Sequence, residues 1–573
     1  MTYFLGLGGP YHHDASACLI DETGAVLAFA EEERFSRRKH HRNSRSCGAA
    51  VAYCLSKAEI DIRDVTTVAV AWNPNHPNPS TEITDQELLG ELLPPSHTKG
   101  HTPSRALVVD HHRAHAASAF YASGMSRATV VVVDGHGDGK SSSIHLADRT
   151  SGIRELWHAD PSQSLGWLYE SVAAHMGLGD WSSTGKLMGL ASYGEPSITA
   201  DFLKLDSDGP YRLDLAGLGL TGPSAGASNN EILDFYFRMQ LALGELYRAR
   251  GLERVNSWRI YDPGQSAVVR DHEIPQDHLA LAASAQQWLQ SALASLMSFA
   301  VDLTGIPEVC YAGGVALNCS ANGFLRREVL KKADFFIQPA ASDSGCALGA
   351  AYEALVESGR MPPTTKMRTT SFGVENSPGD IRRTLDAVGA RYTEPSSGVA
   401  QESARLLAEG RVIGWVQGRA EIGPRALGHR SILADPRTES SRDLINREIK
   451  KREMWRPLAP SILASAAPQV VEYPVSSDFM IEAFRATPWA CENLSGVVHV
   501  DGTMRAQFVD GVADPLYADL LASLEREIGI GAVLNTSFNG EDEPIVNNTL
   551  HALSAFFSAP IDALVIGPFV VRK

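Results

Sequence analysis

The chain has 573 residues, of which 44% are hydrophobic and 21% are charged, and its formal net charge is −16. A chain of this size and composition folds into about two to four domains with buried cores and is not intrinsically disordered. The acidic balance argues against a general surface for nucleic acid or anionic membranes, because neutralising phosphates requires clustered lysine and arginine.

The cysteines and the apolar runs indicate the cellular compartment. There are seven cysteines, an odd number, and no pair has C-x-x-C spacing. We interpret them as reduced core thiols of a cytoplasmic protein. The opening "MTYFLGLGGPYHHDAS" lacks the basic region and long apolar segment of a signal peptide, and no stretch of 18 uninterrupted apolar residues occurs. We therefore predict a cytoplasmic location without membrane association.

Two similar segments stand in the first 160 residues. The first 40 residues show strand, loop, strand, turn and strand, with the loop "GPYHHD". Residues 128–159 repeat this order around the loop "GHGDGKSSS". A duplicated unit with an aspartate in each loop is what the actin-like ATPase fold uses to hold a nucleotide phosphate and its metal. The alternative is two unrelated hairpins.

A histidine-rich helix start, "LVVDHHRAHAASAFYASG", lies between these segments. His111 and His115 are four residues apart, so on a helix they share one face, whereas His112 points elsewhere. Asp134 ends the run "VVVVD" and Asp343 lies in a later loop. Two histidines and two aspartates suit Fe²⁺, Mn²⁺ or Zn²⁺ better than Ca²⁺. The alternative is that the histidines decorate a solvated first turn.

A third glycine-rich segment follows a predicted helix over residues 278–305. The string "EVCYAGGVALNCSANG" gives a strand, a turn at Gly313 and Gly314, and a helix start. Paired glycines let the backbone approach a ligand closely, and helix N-termini favour anions. Residues 335–355 then predict a strand, the loop with Asp343, and a helix rich in alanine and glycine.

The polar segment 357–378 holds a proline pair and is the best candidate for a domain boundary. We predict a first domain over residues 1–365 and a second domain over residues 372–573. Residues 196–275 have mixed polarity and are interpreted as an insertion of the first domain.

The second domain shows basic residues on separate segments. Arg425 lies in "GPRALG", Lys450 and Arg456 lie in "INREIKKREMWRP", and Ser537 and Asn539 lie in "LNTSFN". Arginine binds phosphate oxygens in a bidentate manner, lysine adds a point charge, and a serine or asparagine in a turn adds short donors. Together they could converge on a small phosphorylated substrate. Each alone is more typical of a solvated surface charge.

Eight strings along the chain carry a family resemblance. They occur in order from residue 4 to about residue 548. The chain resembles the NodU/CmcH family of O-carbamoyltransferases, and residues 196–275 are the stretch in which we identify no motif of that family. The strings are "HHDASACLIDETGAVLAFAEEERFSRRKH", "VVDHHRAHAASAFY", "STGKLMGLASYG", "AGGVALNCSANG", "GPRALGHRSILADPR", "KKREMWRPLAP", "VDGTMRAQFV" and "LNTSFNGEDEPIV".

The resemblance implies an α/β fold with two parts. The N-terminal domain is expected to be an actin-like ATPase fold similar to the tRNA threonylcarbamoyl-transferases, and the C-terminal domain a YrdC-like α/β fold. The chain would be a carbamoyltransferase. Carbamoyl phosphate and ATP would give a carbamoyl-adenylate in the C-terminal domain. The carbamoyl group would then pass to a hydroxyl of a small-molecule natural product, such as an antibiotic, with release of AMP.

The resemblance also implies roles for individual residues. The expected metal ligands are His111, His115, Asp134 and Asp343. The expected contacts to carbamoyl phosphate are Arg425, Lys450, Arg456 and Ser537. The expected nucleotide-binding residues are Gly135, Gly137, Lys186, Gly313, Gly314 and Asn318. The expected catalytic residues on the acceptor side are His13, as general base, and Lys39. A purely structural role for His13, ordering the first phosphate loop, is the alternative.

The implied cofactors are a divalent metal, with Fe²⁺ as the first expectation and Mn²⁺ or Zn²⁺ as alternatives, and Mg²⁺ with ATP. The expected partners are ATP, carbamoyl phosphate and a hydroxylated small-molecule acceptor, with no nucleic acid and no membrane, and a homodimer is a possible assembly. The apolar and aromatic character of residues 196–275 favours a bulky, partly apolar acceptor. The alternative functions are a threonylcarbamoyl-type transferase acting on tRNA and a nucleotide-dependent regulatory protein.

Overall fold

The computed structural model of the chain describes residues 2–10, 13–42, 47–73, 85–93, 101, 105–205, 209–224, 226–255, 259–262, 267–271 and 274–573. Parts of the predicted insertion therefore lie outside the described residues. Contacts divide the chain into two units. The first unit is Met1–Glu32, His40–Ile260 and Val269–Met367, and the second is Glu33–Lys39, Tyr261–Val268 and Arg368–Lys573. The division at Met367 lies inside the polar segment 357–378.

The described part of the chain contains β-strands throughout its length. In chain order they are β1 Tyr3–Gly8, β2 Ser16–Asp21, β3 Val26–Glu31, β4 Val65–Val70, β5 Ala106–Val108, β6 Arg127–Gly137, β7 Lys140–Asp148, β8 Gly152–Ala159, β9 Leu203–Lys204, β10 Arg212–Leu213, β11 Arg259–Asp262, β12 Ala267–Asp271, β13 Val309–Ala312, β14 Phe335–Ile337, β15 Arg391–Thr393, β16 Ile413–Val416, β17 Arg430–Ala434, β18 Ala459–Leu463, β19 Phe484–Arg485, β20 Thr503–Met504, β21 Gln507–Val509, β22 Ala532–Ser537, β23 Ala563–Ile566 and β24 Phe569–Arg572.

The α-helices alternate with these strands. They are α1 Glu33–Ser36, α2 Gly48–Lys57, α3 Asp85–Leu92, α4 His111–Ser123, α5 Leu165–His175, α6 Thr184–Leu190, α7 Asn229–Ala249, α8 Gln276–Thr304, α9 Cys319–Phe324, α10 Cys346–Glu357, α11 Pro378–Ala387, α12 Val399–Ala408, α13 Glu439–Leu444, α14 Ala467–Val470, α15 Pro488–Asn493, α16 Pro515–Ile528 and α17 Thr549–Ser558. None of the described helices is long and apolar enough to cross a membrane.

The first unit contains two five-stranded sheets with the same layout. One has the order β3-β2-β1-β4-β5 and the other β14-β13-β6-β7-β8. In each sheet three consecutive strands form an antiparallel meander, and two further strands add in parallel to the first strand of that meander. The duplication predicted from the two β-loop-β segments is therefore confirmed, and the alternative of unrelated hairpins is wrong.

The second unit is built on one eight-stranded mixed sheet with the order β15-β24-β23-β16-β17-β22-β18-β21. Its central strands β23, β16 and β17 are buried on both faces, and successive residues contribute to different hydrophobic clusters. In β16, Ile413 and Trp415 pack with α12 and α16, whereas Val416 packs into the cluster that includes α11 and α17. This alternation follows the two-residue period of a strand. The predicted α/β class is thus confirmed for the chain.

Helices α4 and α10 pack closely in the first unit, and this contact positions the histidine-bearing helix. Gly349 of α10 lies against the backbone of α4, where an added Cβ would overlap the carbonyl oxygen of Ala114 and approach the amide nitrogen of Ser118 to 3.0 Å. A side chain at position 349 would therefore force the two helices apart.

We expect Gly349→Ala to lower the melting temperature of the protein, with a destabilisation of about 1–3 kcal/mol from overpacking. Gly90→Ala in α3 is the matched control, because an added Cβ there meets no described atom within 4 Å. The control should be neutral or stabilising by up to about 1 kcal/mol, since alanine is the better helix former. Scanning calorimetry compares the two variants, and equal melting temperatures would contradict the close packing.

Candidate functional site

The first turn of α4 is fixed by two carboxylates. Asp110 is its N-cap and accepts a hydrogen bond from the backbone N–H of Arg113 at 2.9 Å. Asp138, from the loop after β6, accepts one from the backbone N–H of His111 at 2.8 Å. These bonds satisfy N–H groups that a helix start leaves without partners. His111 and His115 are fully buried, so the alternative of a solvated first turn is wrong.

The four predicted metal ligands converge. His111 and His115 project from α4, Asp134 from the end of β6, and Asp343 from the turn before α10. The Nε2 atom of His111 lies 3.1 Å from Nε2 of His115, 3.3 Å from Oδ2 of Asp134 and 3.6 Å from Oδ1 of Asp343. One donor atom from each residue falls within 4.8 Å of the others, and all four residues are buried.

This donor set fits a divalent cation. Two imidazole nitrogens and two carboxylate oxygens match the ligand preferences of the transition metals predicted from the sequence. The Nδ1 atom of His111 faces the carbonyl oxygen of Ala71 at 3.4 Å, which leaves Nε2 directed at the carboxylates. Burial alone would lower the pKa of His111, but Asp343 and Asp134 raise it to about 10. The same carboxylates therefore attract positive charge strongly.

His112 lies outside this group, as the helical spacing predicts. Its Nδ1 atom is 2.8 Å from Oγ of Ser143, which in turn is 2.8 Å from Nε2 of His145. Burial, together with the positive charge of His111, lowers the pKa of His112 well below its ordinary value. The side chain is therefore held as a neutral, hydrogen-bonded core histidine.

His13 lies beside the four-residue cluster. Its Nδ1 atom is 4.0 Å from Oδ2 of Asp343 and 3.5 Å from Oδ2 of Asp14, and its ring stacks on Trp181 with centroids 4.1 Å apart. Burial lowers the pKa of His13, but Asp343 and Asp14 outweigh this and raise it to about 9. The geometry allows a proton-transfer role only if the negative charge of the cluster is offset.

Glu170 is a buried carboxylate near His13 that the sequence analysis missed. Its Oε1 atom accepts a hydrogen bond from the hydroxyl of Tyr236 in α7 at 2.6 Å. Burial raises the pKa of Glu170 to about 7, although the bond from Tyr236 opposes the shift. The available signal was a single acidic residue inside the otherwise apolar string "LGWLYESVAAH" of α5.

Aromatic rings connect Tyr236 with the metal-ligand cluster. Tyr236 contacts Trp167 with ring centroids 5.2 Å apart, and Trp167 contacts His136 at 5.2 Å. Trp72 lies 6.2 Å from His136 and 4.9 Å from the ring of His111. A continuous aromatic wall therefore runs from the predicted insertion to the cluster.

The predicted nucleotide glycines pack against the same cluster. Gly313 has φ of +94°, and an added Cβ would overlap the backbone of Val133, so a side chain is excluded on both grounds. The backbone N–H of Gly314 donates to Oδ1 of Asp134 at 2.9 Å. The glycine pair thus brings backbone N–H to a predicted metal ligand.

Gly135 and Gly137 lie at the end of β6. An added Cβ on Gly137 would overlap the ring of His111, and one on Gly135 would lie 3.4 Å from the indole nitrogen of Trp167. Lys186 lies in α6 and is half-buried. The absence of a side chain at Gly137 therefore leaves room for the ring of His111, whereas Gly135 only lies close to Trp167.

Asn318 has its side chain committed to the protein. Its Oδ1 atom accepts from the backbone N–H of Ala321 at 2.9 Å and from Nε2 of Gln286 at 3.1 Å, while its Nδ2 donates to Oε1 of Gln286 at 3.0 Å. The hydroxyl of Tyr169 donates to the same Gln286 oxygen at 2.7 Å. The geometry favours a role for Asn318 in ordering this turn over direct contact with a nucleotide.

In the second unit, two of the predicted phosphate contacts touch each other. The ammonium group of Lys450 donates to Oγ of Ser537 at 3.2 Å and to Oδ1 of Asn539 at 2.8 Å. Burial lowers the pKa of Lys450 strongly, and the charges of Arg452, Arg456 and Lys39 add to this. Lys450 thus lies among other cations in a site with little access to water.

Further cations surround this pair. Arg456 lies 3.8 Å from the carboxylate of Glu453. Burial lowers the pKa of Arg452, and the charge of Arg505 adds to this. Neither Arg452 nor Arg505 was predicted, and the buried Nε of Arg505 has no hydrogen-bond partner among the described residues. The signal for Arg505 was the isolated basic residue in "GTMRAQ". The excess of positive charge favours an anionic ligand.

Arg425, a predicted phosphate contact, and Lys39, predicted to act on the acceptor side, lie on separate segments of the second unit. Arg425 lies on the loop 423–429 and is half-buried. Lys39 lies in the segment Glu33–Lys39, which clusters with the second unit. The positive charge of Lys39 contributes to the lowered pKa of Lys450, so Lys39 lies near a predicted phosphate contact. The sequence did not predict this arrangement.

Comparisons with known proteins identify the family of the chain. Residues 91–352 match the family model described as "Carbamoyltransferase N-terminus", and residues 404–573 match "Carbamoyltransferase C-terminus". The activator of the 2-hydroxyisocaproyl-CoA dehydratase from Clostridium difficile is a solved structure with a TM-score of 0.34 and 11% identity, covering 62% of this chain and 96% of that chain. A likeness of that size supports no conclusion.

Two curated relatives are close in sequence. The nodulation protein NolNO of Sinorhizobium fredii (strain NBRC 101917 / NGR234) is 34% identical over 592 residues, which cover 99% of this chain and 80% of that protein. The 3'-hydroxymethylcephem-O-carbamoyltransferase of Amycolatopsis lactamdurans is 33% identical over 261 residues, covering 45% of this chain and 47% of that protein. The predicted resemblance is confirmed, and the chain belongs to the carbamoyltransferase family.

Proposed function

We propose that the protein is an ATP-dependent O-carbamoyltransferase that divides its reaction between the two units. The second unit would form a carbamoyl-adenylate from carbamoyl phosphate and ATP, and the first unit would transfer the carbamoyl group to a hydroxyl of a small-molecule natural product, releasing AMP. The observation that carries this proposal is a pair of sites, one suited to binding a cation and the other to binding an anion. A buried group of two histidines and two aspartates lies in the first unit, and a cluster of partly buried cations lies in the second.

The second unit suits the chemistry of adenylation. Carbamoyl phosphate, carbamate and ATP are all anions, and the repulsion among Lys450, Arg452 and Arg456 is relieved when such an anion binds. In the proposed reaction, water first cleaves carbamoyl phosphate to carbamate and inorganic phosphate. A carbamate oxygen then attacks the α-phosphorus of ATP, which forms the carbamoyl-adenylate as pyrophosphate leaves. The cations stabilise the charge that develops on the phosphate oxygens. A YrdC-like fold for this unit and Mg²⁺ bound with ATP remain part of the proposal.

The first unit suits carbamoyl transfer. Its repeated sheet layout supports an actin-like ATPase fold. His111, His115, Asp134 and Asp343 would hold Fe²⁺, Mn²⁺ or Zn²⁺, and a bound ion supplies positive charge that stabilises the departing phosphate. His13 takes the proton of the acceptor hydroxyl once the charge of Asp343 is offset, because that carboxylate is a main cause of its raised pKa.

The acceptor would approach along the aromatic wall. Tyr236 and its partner Glu170 lie at one end of this wall, and Tyr236 belongs to α7 within the predicted insertion 196–275. Large aromatic side chains with a few polar groups are typical of small-molecule pockets. We therefore assign acceptor recognition to α7 and favour a partly apolar acceptor.

We expect His115→Ala to lose bound metal and carbamoyl transfer, because a buried ligand is not easily replaced. The matched control is His112→Ala, whose imidazole bonds to Ser143 and lies outside the four-residue cluster. Elemental analysis of the purified proteins measures metal per chain. Equal metal content in the two variants would contradict the assigned ligand set.

We expect Arg456→Ala to slow pyrophosphate release from ATP and carbamoyl phosphate by about 10- to 100-fold, the range for losing a charge-assisted hydrogen bond. Transfer from supplied carbamoyl-adenylate should remain. Arg447→Ala, at an exposed position on the same segment, is the control and should keep both half-reactions. If Arg456→Ala and His115→Ala lost the same half-reaction, the division between two sites would fail.

We expect the stability of Glu170→Gln to depend on pH differently from the wild type. The folded pKa of Glu170 is raised to about 7 by burial, so the folded state binds its proton more tightly than the unfolded state. Stability from this group is complete below about pH 4.5 and is lost as the pH rises towards 7. Between pH 5 and pH 8 the melting temperature of the wild type should therefore fall relative to that of Glu170→Gln.

The control for this measurement is Glu245→Gln, an exposed residue of the same α7 helix that carries Tyr236. It should follow the wild type across the whole range. Parallel profiles for wild type and Glu170→Gln would show that the carboxyl group titrates normally.

A further inference from the structure

The loop 423–429 carries Arg425, and side chains from the surrounding strands donate hydrogen bonds to its backbone carbonyl groups. The carbonyl oxygens of residues 426–428 accept hydrogen bonds from Nδ2 of Asn535, Nε2 of Gln507 and Nε1 of Trp415. The distances are 3.1, 3.0 and 2.7 Å in that order. Each of these three carbonyl groups is therefore fixed by a strand of the sheet.

Glu421 fixes the same loop through its backbone N–H groups. Its Oε1 atom accepts hydrogen bonds from the backbone N–H groups of Leu427, His429 and Arg430 at 2.9, 2.8 and 3.0 Å. The side chain is 2% exposed, and its Oε2 atom has no partner among the residues that the structure describes. Burial alone would raise the pKa of Glu421, but His429 and Arg430 lower it, so the group stays ionised.

This arrangement differs from a loop that binds phosphate through its backbone. Glycine-rich phosphate loops direct successive N–H groups at the anion. Here two N–H groups of the loop, together with that of Arg430 at the start of β17, donate to Glu421. The loop therefore offers an incoming anion its arginine side chain rather than these N–H groups.

A loop fixed before the ligand arrives loses little conformational entropy on binding. The guanidinium of Arg430 is fully buried and donates to the carbonyl oxygens of Gln417, at 3.0 Å, and Val374, at 2.6 Å. It therefore anchors the end of the loop where β17 begins. Glu421 supplies the negative charge near this buried cation.

We propose that Glu421 is a positioning residue for carbamoyl phosphate: it pre-organises the loop 423–429 so that Arg425 is presented to the substrate. This inference rests on the proposed function, because it assigns the ligand of Arg425 as carbamoyl phosphate. Glu421 acts through the loop and does not touch the reacting atoms.

The test measures pyrophosphate release by the full-length protein with ATP and carbamoyl phosphate, for wild type, Glu421→Ala, Glu421→Gln and Asn535→Ala. We expect Glu421→Ala to raise KM for carbamoyl phosphate at least tenfold and to leave KM for ATP within twofold. Glu421→Gln retains one acceptor oxygen and should lie closer to the wild type. Asn535→Ala removes a single bond to the loop and carries the test if Glu421→Ala does not fold.

Thr487→Ala is the control for a merely structural effect. It removes a side-chain acceptor for the backbone N–H of Ala490 at the start of α15, in the same unit but away from the loop. It should lower the melting temperature and leave both KM values unchanged. If Glu421→Ala and Asn535→Ala keep the wild-type KM for carbamoyl phosphate, or raise both KM values equally, the inference is overturned. A wild type that releases no pyrophosphate overturns the proposed function itself.

Discussion

The structure of the first unit depends on placing two carboxylates and two imidazoles in a buried space at the end of β6. Asp134 and Asp343 cannot both remain ionised there without nearby positive charge. The raised pKa of His111 shows that the protein itself supplies part of this charge when a proton is bound. The fixed start of α4 and the side-chain-free positions Gly137 and Gly313 bring the groups together. A divalent cation in place of the proton would satisfy all four.

The second unit has the reverse problem. Lys450, Arg452 and Arg456 are held close together, and the lowered pKa of Lys450 follows from burial and mutual repulsion. The protein relieves this only in part, through Glu453 and through oxygen atoms of Ser537 and its neighbours. A unit that demands an anion and a unit that demands a cation are suited to different half-reactions. In the proposed mechanism, charge would thus separate the formation of an activated carbamoyl group from its transfer.

The sequence was sufficient to predict site residues that are marked by a local pattern, such as helical spacing or the end of a strand. The helical spacing of His111 and His115 and the strand end at Asp134 predicted residues that do converge. Spacing could not reveal Glu170, because its partner Tyr236 is 66 residues away and the pair is formed by the packing of two helices. The same holds for Glu421, whose three bonds exist only once the loop has folded back over it. The two antiparallel meanders were predicted from the repeated strand pattern, whereas the added parallel strands, the burial of side chains and the pKa shifts depend on the folded structure.

The metal-ligand cluster and helix α7 of the first unit differ in how well they tolerate amino-acid substitutions. The metal-ligand side consists of buried strand ends and close helix packing, where an added methyl group forces backbone to move. The proposed acceptor side is formed by α7, which buries one face and leaves Leu233, Phe237 and Leu241 at 40%, 61% and 63% exposure. Substitutions on that outer face disturb little packing, whereas those at Tyr236 alter its hydrogen bond to Glu170 and its ring contact with Trp167. If α7 recognises the acceptor as proposed, acceptor preference can change through α7 while the geometry of the metal-ligand cluster is kept.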